Sequence, residues 1–313
     1  MNSSQPPELP FFGIATEFLA NANLAALGIP WDASSSYRRG AAKGPTLIRQ
    51  ATSGMLYNTY TEANVNLREK WQIFDAGDVD IPTTAALEAR DAVAAAINDI
   101  YRSGPKNRFL FLGGDHLATY FSLYALQNAG VLNGKTAGII HLDAHPDLYA
   151  SYKEDPYSHA CILRRILDET KISSHNIVQV GIRAATSEQL EFIQQTGITS
   201  LSRKAFQEMG PREASQQAHH VLQGTDLIYI SIDLDVLDPA FAPGVGNPEP
   251  GGLMTSEVVS FLQGLAGLPI FAFDIVEYCP AYDHSMMTAF TAAKLIKETL
   301  GIVEAGNSYQ SSG

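Results

Sequence analysis

The sequence predicts an α/β fold built on a parallel sheet with helices on both faces. Two observations predict it. Short apolar runs rich in β-branched residues alternate with longer segments of helical pattern, and those runs are apolar throughout instead of at every second position. A strand that is apolar on both sides is buried on both sides, which is typical of parallel sheets covered by crossover helices. With 313 residues, 45% of them apolar, the chain can bury such a core.

The elements alternate along the chain. The strand candidates, taken from the apolar β-branched runs, are Ala25–Ile29, Gln72–Ala76, Phe109–Gly113, Ala137–Asp143, Ile177–Ile182, Leu227–Asp235 and Pro269–Val276. The helix candidates, taken from the helical patterns between those runs, are Ala85–Arg102, Leu117–Ala129, Ala160–Glu169, Ser187–Thr196, Arg212–Gln223, Ser256–Ala266 and Ser285–Gly301. No internal repeat or Pro/Gly/Ser linker divides the chain, so we expect one domain over residues 1–313. The polar ends, residues 1–10 and 304–313, are expected to be loose.

Composition narrows the class of protein. The chain carries 21 basic and 33 acidic side chains, for a formal net charge of −12. This charge argues against nucleic acid or an anionic membrane as a partner and is compatible with a cationic substrate. Cys161 and Cys279 lie far apart without metal-ligand spacing, and the N-terminus lacks a signal-peptide pattern. We therefore expect a reduced cytoplasmic protein, and no apolar run approaches the roughly 20 residues of a membrane span.

The most informative segment follows the apolar run Ala137–Ile140. Asp143, His145 and Asp147 occur there at positions i, i+2 and i+4. Alternate side chains of a strand share a face, so a strand that ends near Asp143 directs all three toward one point. Carboxylates and imidazoles that meet at a buried point repel or stay unpaired unless a cation lies between them. The segment therefore predicts a divalent metal site.

Two other predicted strands also end in ligand residues. Phe109–Gly113 leads to His116 through a glycine turn, and Leu227–Asp235 ends in Asp233 and Asp235. In open α/β sheets, ligands bind at the carboxyl ends of the strands. Six ligands are too many for a single catalytic zinc, which has about three protein ligands. Four carboxylates with two imidazoles suit Mn²⁺ or another metal that accepts oxygen donors, arranged as two bridged ions that activate a water molecule.

Each signal has a structural alternative. His116 is also placed to cap the helix that starts at Leu117, and the Asp233/Asp235 pair is also typical of a strand that turns. Residues 143–154 carry oxygen ligands at positions 1, 5 and 12 of a calcium-binding loop. That alternative fails because His145 occupies position 3, Leu148 replaces the required glycine, and the preceding segment is strand-like. Three strand ends that all finish in ligands favour the metal site.

Three segments resemble the hallmark motifs of the ureohydrolase family, which includes arginase and agmatinase: residues 113–116 (GGDH), 143–147 (DAHPD) and 231–244 (SIDLDVLDPAFAPG). The likeness runs from residues 28–32 (GIPWD) through residues 40–45 (GAAKGP) to the last helix. The resemblance implies a three-layer α/β/α fold with a mostly parallel central sheet. It also implies two Mn²⁺ ions, with Ni²⁺ as an alternative, hydrolysis of a guanidinium to urea and an amine, and a homo-oligomer, either a trimer or a hexamer.

The resemblance also implies residue roles. One metal would be held by His116, Asp143, Asp147 and Asp233, and the other by Asp143, His145, Asp233 and Asp235, with Asp143 and Asp233 bridging. Asp147 would orient the nucleophile. His159 matches the family histidine that transfers protons near the pocket, and Glu277 matches the carboxylate that faces the guanidinium. The structural alternatives are that His159 caps the following helix and that Glu277 pairs with an arginine.

The other histidines lack such a match. His141 is expected to be buried in its strand, whereas His175, His219 and His220 are expected at the surface. His284 stays open as a residue that lines the pocket.

Residues 148–157 (LYASYKEDPY) bear on the substrate. Arginases carry an asparagine and a serine/threonine-rich run in this segment to hold the amino-acid end of arginine, and this chain has neither. The segment, followed by Ser158-His159-Ala160-Cys161 and two arginines, is similar to the agmatinase branch, so we expect agmatine, a small cationic guanidino substrate. Lys153 could equally meet a carboxylate. Guanidinobutyrate, guanidinopropionate, guanidine and formiminoglutamate therefore stay open.

Three further classes are weighed against this reading. A histone-deacetylase-like amide hydrolase uses a single zinc, so the extra ligands His116 and Asp235 argue against it. A binuclear phosphoesterase arranges its motifs in a different order. A catalytically silent relative would be marked by a lost ligand, and none is lost here.

Overall fold

The described residues, 10–104 and 108–303 of a computed structural model, form a parallel sheet of nine strands with helices on both faces. The strands are β1 (Ala15–Thr16), β2 (Leu24–Ile29), β3 (Ile73–Asp78), β4 (Arg108–Gly113), β5 (Ala137–Leu142), β6 (Ile177–Ile182), β7 (Thr199–Ser202), β8 (Leu227–Asp233) and β9 (Ile270–Val276). Their spatial order is β1-β3-β2-β4-β9-β8-β5-β6-β7. The predicted three-layer fold is confirmed, whereas the two polar ends lie outside the described residues apart from Pro10.

All seven predicted strands are present; Ile177–Ile182 matches β6 at both ends, and the other six have at least one corrected end. The predicted Leu227–Asp235 strand is wrong at its end, because β8 stops at Asp233 and Leu234–Val236 forms a 3₁₀ turn. The Asp233 side chain accepts the Asp235 backbone N–H at 2.7 Å, which satisfies that donor locally instead of in a ladder. The edge strands β1 and β7 were not predicted, because they are short and lack an apolar run.

Eight helices of eight or more residues occur in the described segments: α1 (Gly44–Ala51), α2 (Ala86–Ser103), α3 (Leu117–Asn128), α4 (Ile162–Glu169), α5 (Ser187–Thr196), α6 (Arg203–Val221), α7 (Thr255–Gly264) and α8 (Met287–Ile302). Shorter helical turns are Pro10–Gly13, Leu19–Asn21, Ala41–Lys43, Leu67–Lys70, His159–Cys161, Ser174–Asn176, Leu234–Val236 and Pro280–Tyr282. None of the helices described is long and apolar enough to cross a lipid bilayer.

Three predicted helix starts are wrong by two residues or more, and one of them is α8, which begins at Met287 instead of Ser285. α6 begins at Arg203 instead of Arg212, because the Ser202 hydroxyl caps an earlier helical segment. Gly210, with φ 78°, then joins the two segments ahead of Pro211. α4 begins at Ile162 instead of Ala160, because His159–Cys161 forms a 3₁₀ turn capped by Ser158. Helix α1 was not predicted.

Alternate strand residues supply two separate cores. On β4, Leu110 and Leu112 pack into one core, while Phe109 and Phe111 pack into the other. The first core holds buried residues of α1, α6, α7 and α8, and the second holds those of α2, α3 and α4. The sheet is therefore apolar on both faces, as the uninterrupted apolar runs predict.

The strand order positions the site. Strands β4, β9, β8 and β5 are adjacent at the centre of the sheet, although they are far apart in the sequence. All their pairings are parallel, so their carboxyl ends lie at one edge. This edge carries every residue that the sequence predicts for the metal site.

Candidate metal centre and pocket

The four central strands each deliver a polar side chain to the same edge of the sheet. β4 leads through Gly113 and Gly114 to His116, and a Cβ on Gly114 would overlap the Trp31 backbone. β5 leads to Asp143, and β8 ends at Asp233. β9 is followed by Glu277, which has a positive φ of 66° and is 2% exposed. A left-handed backbone is uncommon outside glycine and concentrates at functional sites.

His116 faces three carboxylates. Its Nδ1 lies 3.1 Å from an oxygen of Asp143, 3.2 Å from one of Asp147 and 3.1 Å from one of Asp233. His116 and Asp143 are fully buried, and Asp147 and Asp233 are nearly so. Asp147 also has a positive φ, 52°. The structure therefore brings together the four residues that were predicted to hold the first metal.

His145 and Asp235 extend this cluster on the other side of Asp143. Nδ1 of His145 lies 3.0 Å from Oδ2 of Asp235 and 3.4 Å from Oδ1 of Asp143. Possible ligand atoms of Asp143, His145 and Asp235 all lie within 4.8 Å of one another, as do those of a second group that also includes Asp143. Asp143 thus belongs to both halves of the cluster, as its predicted bridging role requires.

Backbone N–H groups orient the carboxylates. Asp143 Oδ1 accepts from the His145 N–H at 2.6 Å, and Asp235 Oδ1 accepts from the Ala144 N–H at 3.0 Å. Asp233 Oδ1 accepts from the Asp235 N–H at 2.7 Å. The second oxygen of each carboxylate also faces a cluster histidine. The folded chain thus preorganises the acceptors before any cation binds.

A hydrogen-bond chain sets the tautomer of His116. Asp274 is buried and accepts from the hydroxyls of Thr119, Tyr229 and Ser231. Because Ser231 donates its single proton to Asp274, its oxygen accepts from Nε2 of His116 at 2.9 Å. Nδ1 of His116 therefore faces the three carboxylates. Burial lowers the pKa of His116, but these carboxylates outweigh it and raise the pKa well above its ordinary value, so a cation held at Nδ1 would take the place of a proton.

The electrostatics of the cluster call for positive charge. Burial raises the pKa of Asp233, and the nearby Asp235 and Asp143 carboxylates raise it further. The pKa of Asp235 is also raised, first by burial and then by Asp143. Nδ1 of His116 and Oδ2 of Asp143 are buried and have no hydrogen-bond partner within residues 10–104 and 108–303. Orphaned buried atoms in an oxygen-rich set with two imidazoles fit divalent cations.

A pocket opens above the cluster. His159 Nδ1 lies 2.7 Å from Glu277 Oε1, which also accepts the His116 backbone N–H at 2.9 Å. The Ser36 backbone N–H donates to His159 Nε2 at 3.0 Å, and Asn247 donates to the Ser36 hydroxyl. Glu277 Oε2 is buried without a hydrogen-bond partner in the described chain. The predicted His159 and Glu277 are therefore paired beside the cluster.

The pair shifts the acid–base properties of both residues. Burial lowers the pKa of His159, but the facing Glu277 carboxylate outweighs it and raises the pKa to about 9. Burial raises the pKa of Glu277, and His159 more than offsets this, so the net shift is downward. The Ser36 backbone N–H donates to Nε2 of His159, so it must move away before Nε2 can be protonated. The Ser36 hydroxyl, 2.8 Å from Nε2, would then accept the new N–H. The geometry therefore describes the neutral ring with its proton on Nδ1.

Sequence reasoning missed several supporting residues. His141 is buried in β5, as predicted, but its Nε2 lies 3.1 Å from Asp143, so it belongs to the cluster. Asp274, which accepts from Ser231, and Arg183, which donates to the Asp235 carbonyl, also support the site and carried no local motif. A polar side chain inside an otherwise apolar strand was the available signal, since His141 and Asp274 both show it.

The remaining histidines lie outside the site. His175 and His220 are exposed as predicted, and His219 is half-buried. His284 is exposed and is not among the described residues that line the pocket.

Comparisons with known proteins agree with this geometry. The sequence profile of the arginase family matches residues 22–301. Agmatinase from Salmonella paratyphi B is 33% identical over 287 residues, which cover 91% of this chain and 89% of that protein. The structure of proclavaminate amidinohydrolase from Streptomyces clavuligerus has a TM-score of 0.85 at 29% identity, with 94% and 96% of the two chains covered. Formimidoylglutamase from Bacillus subtilis also has a TM-score of 0.85, at 26% identity and 96% and 93% coverage. With its family profile, its fold and its buried histidine–aspartate cluster in agreement, the chain belongs to the arginase family.

Proposed function

We propose that this protein is a binuclear-metal hydrolase that cleaves a guanidino compound to urea and an amine, with agmatine as the substrate and putrescine as the amine. The observation that carries the proposal is the buried Oε2 of Glu277, which has no hydrogen-bond partner among the described residues and lines the pocket beside the histidine–aspartate cluster. A guanidinium is planar, rich in N–H donors and charged at ordinary pH, so a carboxylate is its natural partner.

The cluster offers ligands for two ions. We assign one ion to His116, Asp143, Asp147 and Asp233 and the other to Asp143, His145, Asp233 and Asp235. The oxygen-rich donor set favours Mn²⁺, and Ni²⁺ is the alternative. When bound, such ions acidify a water molecule and offset negative charge that develops during its attack.

The residues of the pocket supply the remaining chemistry. Glu277 accepts guanidinium N–H groups through Oε2, while His159 and the His116 backbone hold its Oε1 in place. Gly246 leaves the space beside Oε2 open, since a Cβ there would lie 2.8 Å from that oxygen. Asp147 accepts a hydrogen bond from the attacking water and orients it toward the guanidinium carbon. Binding thus fixes the carbon between the water and Glu277.

Proton transfer completes the reaction. Water adds to the guanidinium carbon, the bond from that carbon to the substituted nitrogen breaks, and urea and an alkylammonium ion leave. The substituted nitrogen gains both protons of the water, one as the bond to carbon breaks and one as the free amine becomes an ammonium ion, and His159 is the titrating group in the pocket that can relay them. Atoms and charge balance, because one cation and one water give one cation and one neutral product.

The walls of the pocket bear on the distal end of the substrate. Beyond the cluster and the His159–Glu277 pair, the inner pocket is lined by uncharged side chains, including Tyr149, Tyr152 and Gln189. The outer mouth adds Glu249, which suits the distal amine of agmatine, but also Arg38 and Lys153. These two cations favour a second candidate substrate, an ω-guanidino acid such as guanidinobutyrate.

Urea release distinguishes these candidates. The Mn²⁺-loaded protein is assayed with agmatine, arginine, guanidinobutyrate, guanidinopropionate and guanidine, and formamide release is measured with formiminoglutamate. We expect the largest kcat/KM with agmatine. The proposal is refuted if no guanidino compound yields urea with either Mn²⁺ or Ni²⁺.

Two matched variants test which charged side chain binds the distal group of the substrate. Glu249→Gln should raise KM for agmatine and spare guanidinobutyrate. Lys153→Met should do the reverse if the distal group is a carboxylate. Equal effects of each variant on both substrates would show that neither charge contacts the substrate.

We also propose a homo-oligomer, a trimer or hexamer, located in the cytoplasm. Light scattering coupled to size-exclusion chromatography tests the assembly, and a monomer at working concentration would refute it.

A further inference from the structure

Asn247 lies at the boundary between the inner pocket and its outer mouth, and the proposed reaction does not use it. Among the described residues, Asn247 lines both spaces, whereas Glu277 lines the inner pocket and not the mouth. Oδ1 of Asn247 is buried and has no hydrogen-bond partner within residues 10–104 and 108–303. A buried carbonyl oxygen without a donor is costly, so this atom indicates a ligand that supplies an N–H or O–H group.

The segment that carries Asn247 is fixed against the segment that follows β9. The Cys279 backbone N–H donates to the Gly244 carbonyl at 2.8 Å. Gly246 lies against Glu277, since a Cβ on this glycine would be 2.8 Å from Oε2. Asn247 is therefore held one residue beyond the closest approach to the carboxylate that is proposed to bind the guanidinium.

Ser36 orients the Asn247 amide. Nδ2 of Asn247 donates to the Ser36 hydroxyl oxygen at 3.1 Å, and this oxygen lies 2.8 Å from Nε2 of His159. A hydroxyl oxygen has two lone pairs, so it accepts from Asn247 both when it donates to a neutral His159 ring and when it accepts from a charged one. In either case the NH₂ group of Asn247 faces Ser36, and Oδ1 is the end that lacks a partner.

Four residues thus form one hydrogen-bonded chain. Oε1 of Glu277 contacts Nδ1 of His159 at 2.7 Å, Nε2 of His159 contacts Ser36, and Ser36 accepts from Asn247. The two ends of the chain are Oε2 of Glu277 and Oδ1 of Asn247, which are both buried acceptors without a donor in the described part of the protein. Two acceptors held in this way fit a ligand with several N–H groups, such as a guanidinium.

We propose that Oδ1 of Asn247 accepts the N–H of the substituted guanidino nitrogen and so selects substrates in which that nitrogen carries a hydrogen. Glu277 then takes an unsubstituted NH₂ group in the inner pocket, and the alkyl chain extends toward the mouth that Asn247 also lines. Because Asn247 is bonded to Ser36, which contacts His159, this hydrogen bond also holds the leaving nitrogen on the side of the proton relay. The inference rests on the proposed function, since it takes a guanidino compound as the ligand.

Titration calorimetry with the metal-free protein tests this contact, because no metal-dependent hydrolysis competes with binding. The two probes are agmatine and its analogue with a methyl group on the substituted nitrogen, which lacks the N–H. A hydrogen bond that involves a charged group corresponds to about tenfold or more in affinity. We therefore expect the wild type to bind agmatine at least about tenfold more tightly than the methylated analogue.

Two substitutions assign this preference to Asn247. Asn247→Leu keeps the approximate size of the side chain and removes the acceptor, so its affinity for agmatine should fall about tenfold and its preference over the methylated analogue should shrink to less than about threefold. Asn247→Asp keeps an acceptor and should keep the preference. If Asn247→Leu does not fold, Asn247→Ala provides the same comparison.

A role limited to the contact with Ser36 would weaken binding of both probes equally in Asn247→Leu. That result, or an unchanged affinity for agmatine, would overturn the proposal. The measurement does not depend on turnover. If the Mn²⁺-loaded wild type releases no urea but the expected binding pattern is found, the proposed function fails and the contact with Asn247 is supported.

Discussion

Arg183 should stabilise the turn that carries Asp235 through its guanidinium. This group donates to the backbone carbonyls of Asp235 and Glu249 at 2.6 Å each, and to those of Gly181, Val236 and Leu237 at 3.2–3.3 Å. It therefore ties the 3₁₀ turn Leu234–Val236 to the segment that forms the mouth of the pocket. Arg183→Met keeps the apolar stem and removes all these donors.

The expected loss follows from the two shortest contacts. A hydrogen bond from a charged donor contributes about 1.5–3 kcal/mol net. Arg183 is half-buried, so water can replace part of each bond and the low end of the range applies. The two bonds to Asp235 and Glu249 together then correspond to about 3 kcal/mol. Arg183→Lys keeps the charge but not the planar fork, and should lose about half as much.

Urea denaturation of the metal-free protein measures this loss as a shift in the unfolding midpoint. The affinity for the ion assigned to His145 and Asp235 should also fall, because the Asp235 turn loses its anchor. The control is Arg164→Met, which removes an exposed pair with Asp168 on α4 and should cost less than about 0.5 kcal/mol. The anchoring role is refuted if two results are found together. The free energy of unfolding of Arg183→Met lies within about 1 kcal/mol of the wild-type value, which is about the value of a single hydrogen bond, and the variant binds both ions with wild-type affinity.

Three further predictions concern the cluster and the pocket. Asp143→Ala should lose both metals in elemental analysis and fall to background activity, and full activity in that variant would contradict the binuclear assignment. In the metal-free protein, the pKa of His159 rises from 6.5 to about 9, so its pairing with Glu277 stabilises the fold fully below pH 6.5 and is lost as pH rises through 9. At about 1.4 kcal/mol per pH unit, this interval corresponds to about 3 kcal/mol. The stability difference between wild type and Glu277→Gln in urea should shrink by that amount, and a pH-independent difference would show that His159 stays neutral. Asp274→Asn places an amide N–H against hydroxyl donors such as Ser231, which should destabilise the protein by about 2–3 kcal/mol and weaken Mn²⁺ binding. Unchanged thermal stability and Mn²⁺ affinity would show that Asp274 does not support His116.

The hydrophobic pattern of the sequence was sufficient to predict much of the fold. Seven of the nine strands were predictable because each is a mostly apolar run bounded by turn residues. The errors lie where side-chain contacts, and not the hydrophobic pattern, determine where an element begins or ends. β8 ends at Asp233 because that side chain captures the next backbone N–H, and the start of α6 depends on the Ser202 cap and the Gly210 joint. The edge strand β7 exists through pairing with β6, which its own four residues do not encode.

The sequence by itself determined the chemistry of the site. The residues that finish β4, β5 and β8 are ligand types at strand-end spacing, and that is a local property of the chain. The tertiary structure decided which of those ends meet, because the order β4-β9-β8-β5 depends on how crossover helices pack and not on any one strand. It also decided where protons lie. Asp274 and Ser231 hold Nε2 of His116 and turn its Nδ1 toward the carboxylates, through hydrogen bonds between residues far apart in the chain. A histidine in the sequence is either a ligand or a donor, and only its neighbours in space select between the two.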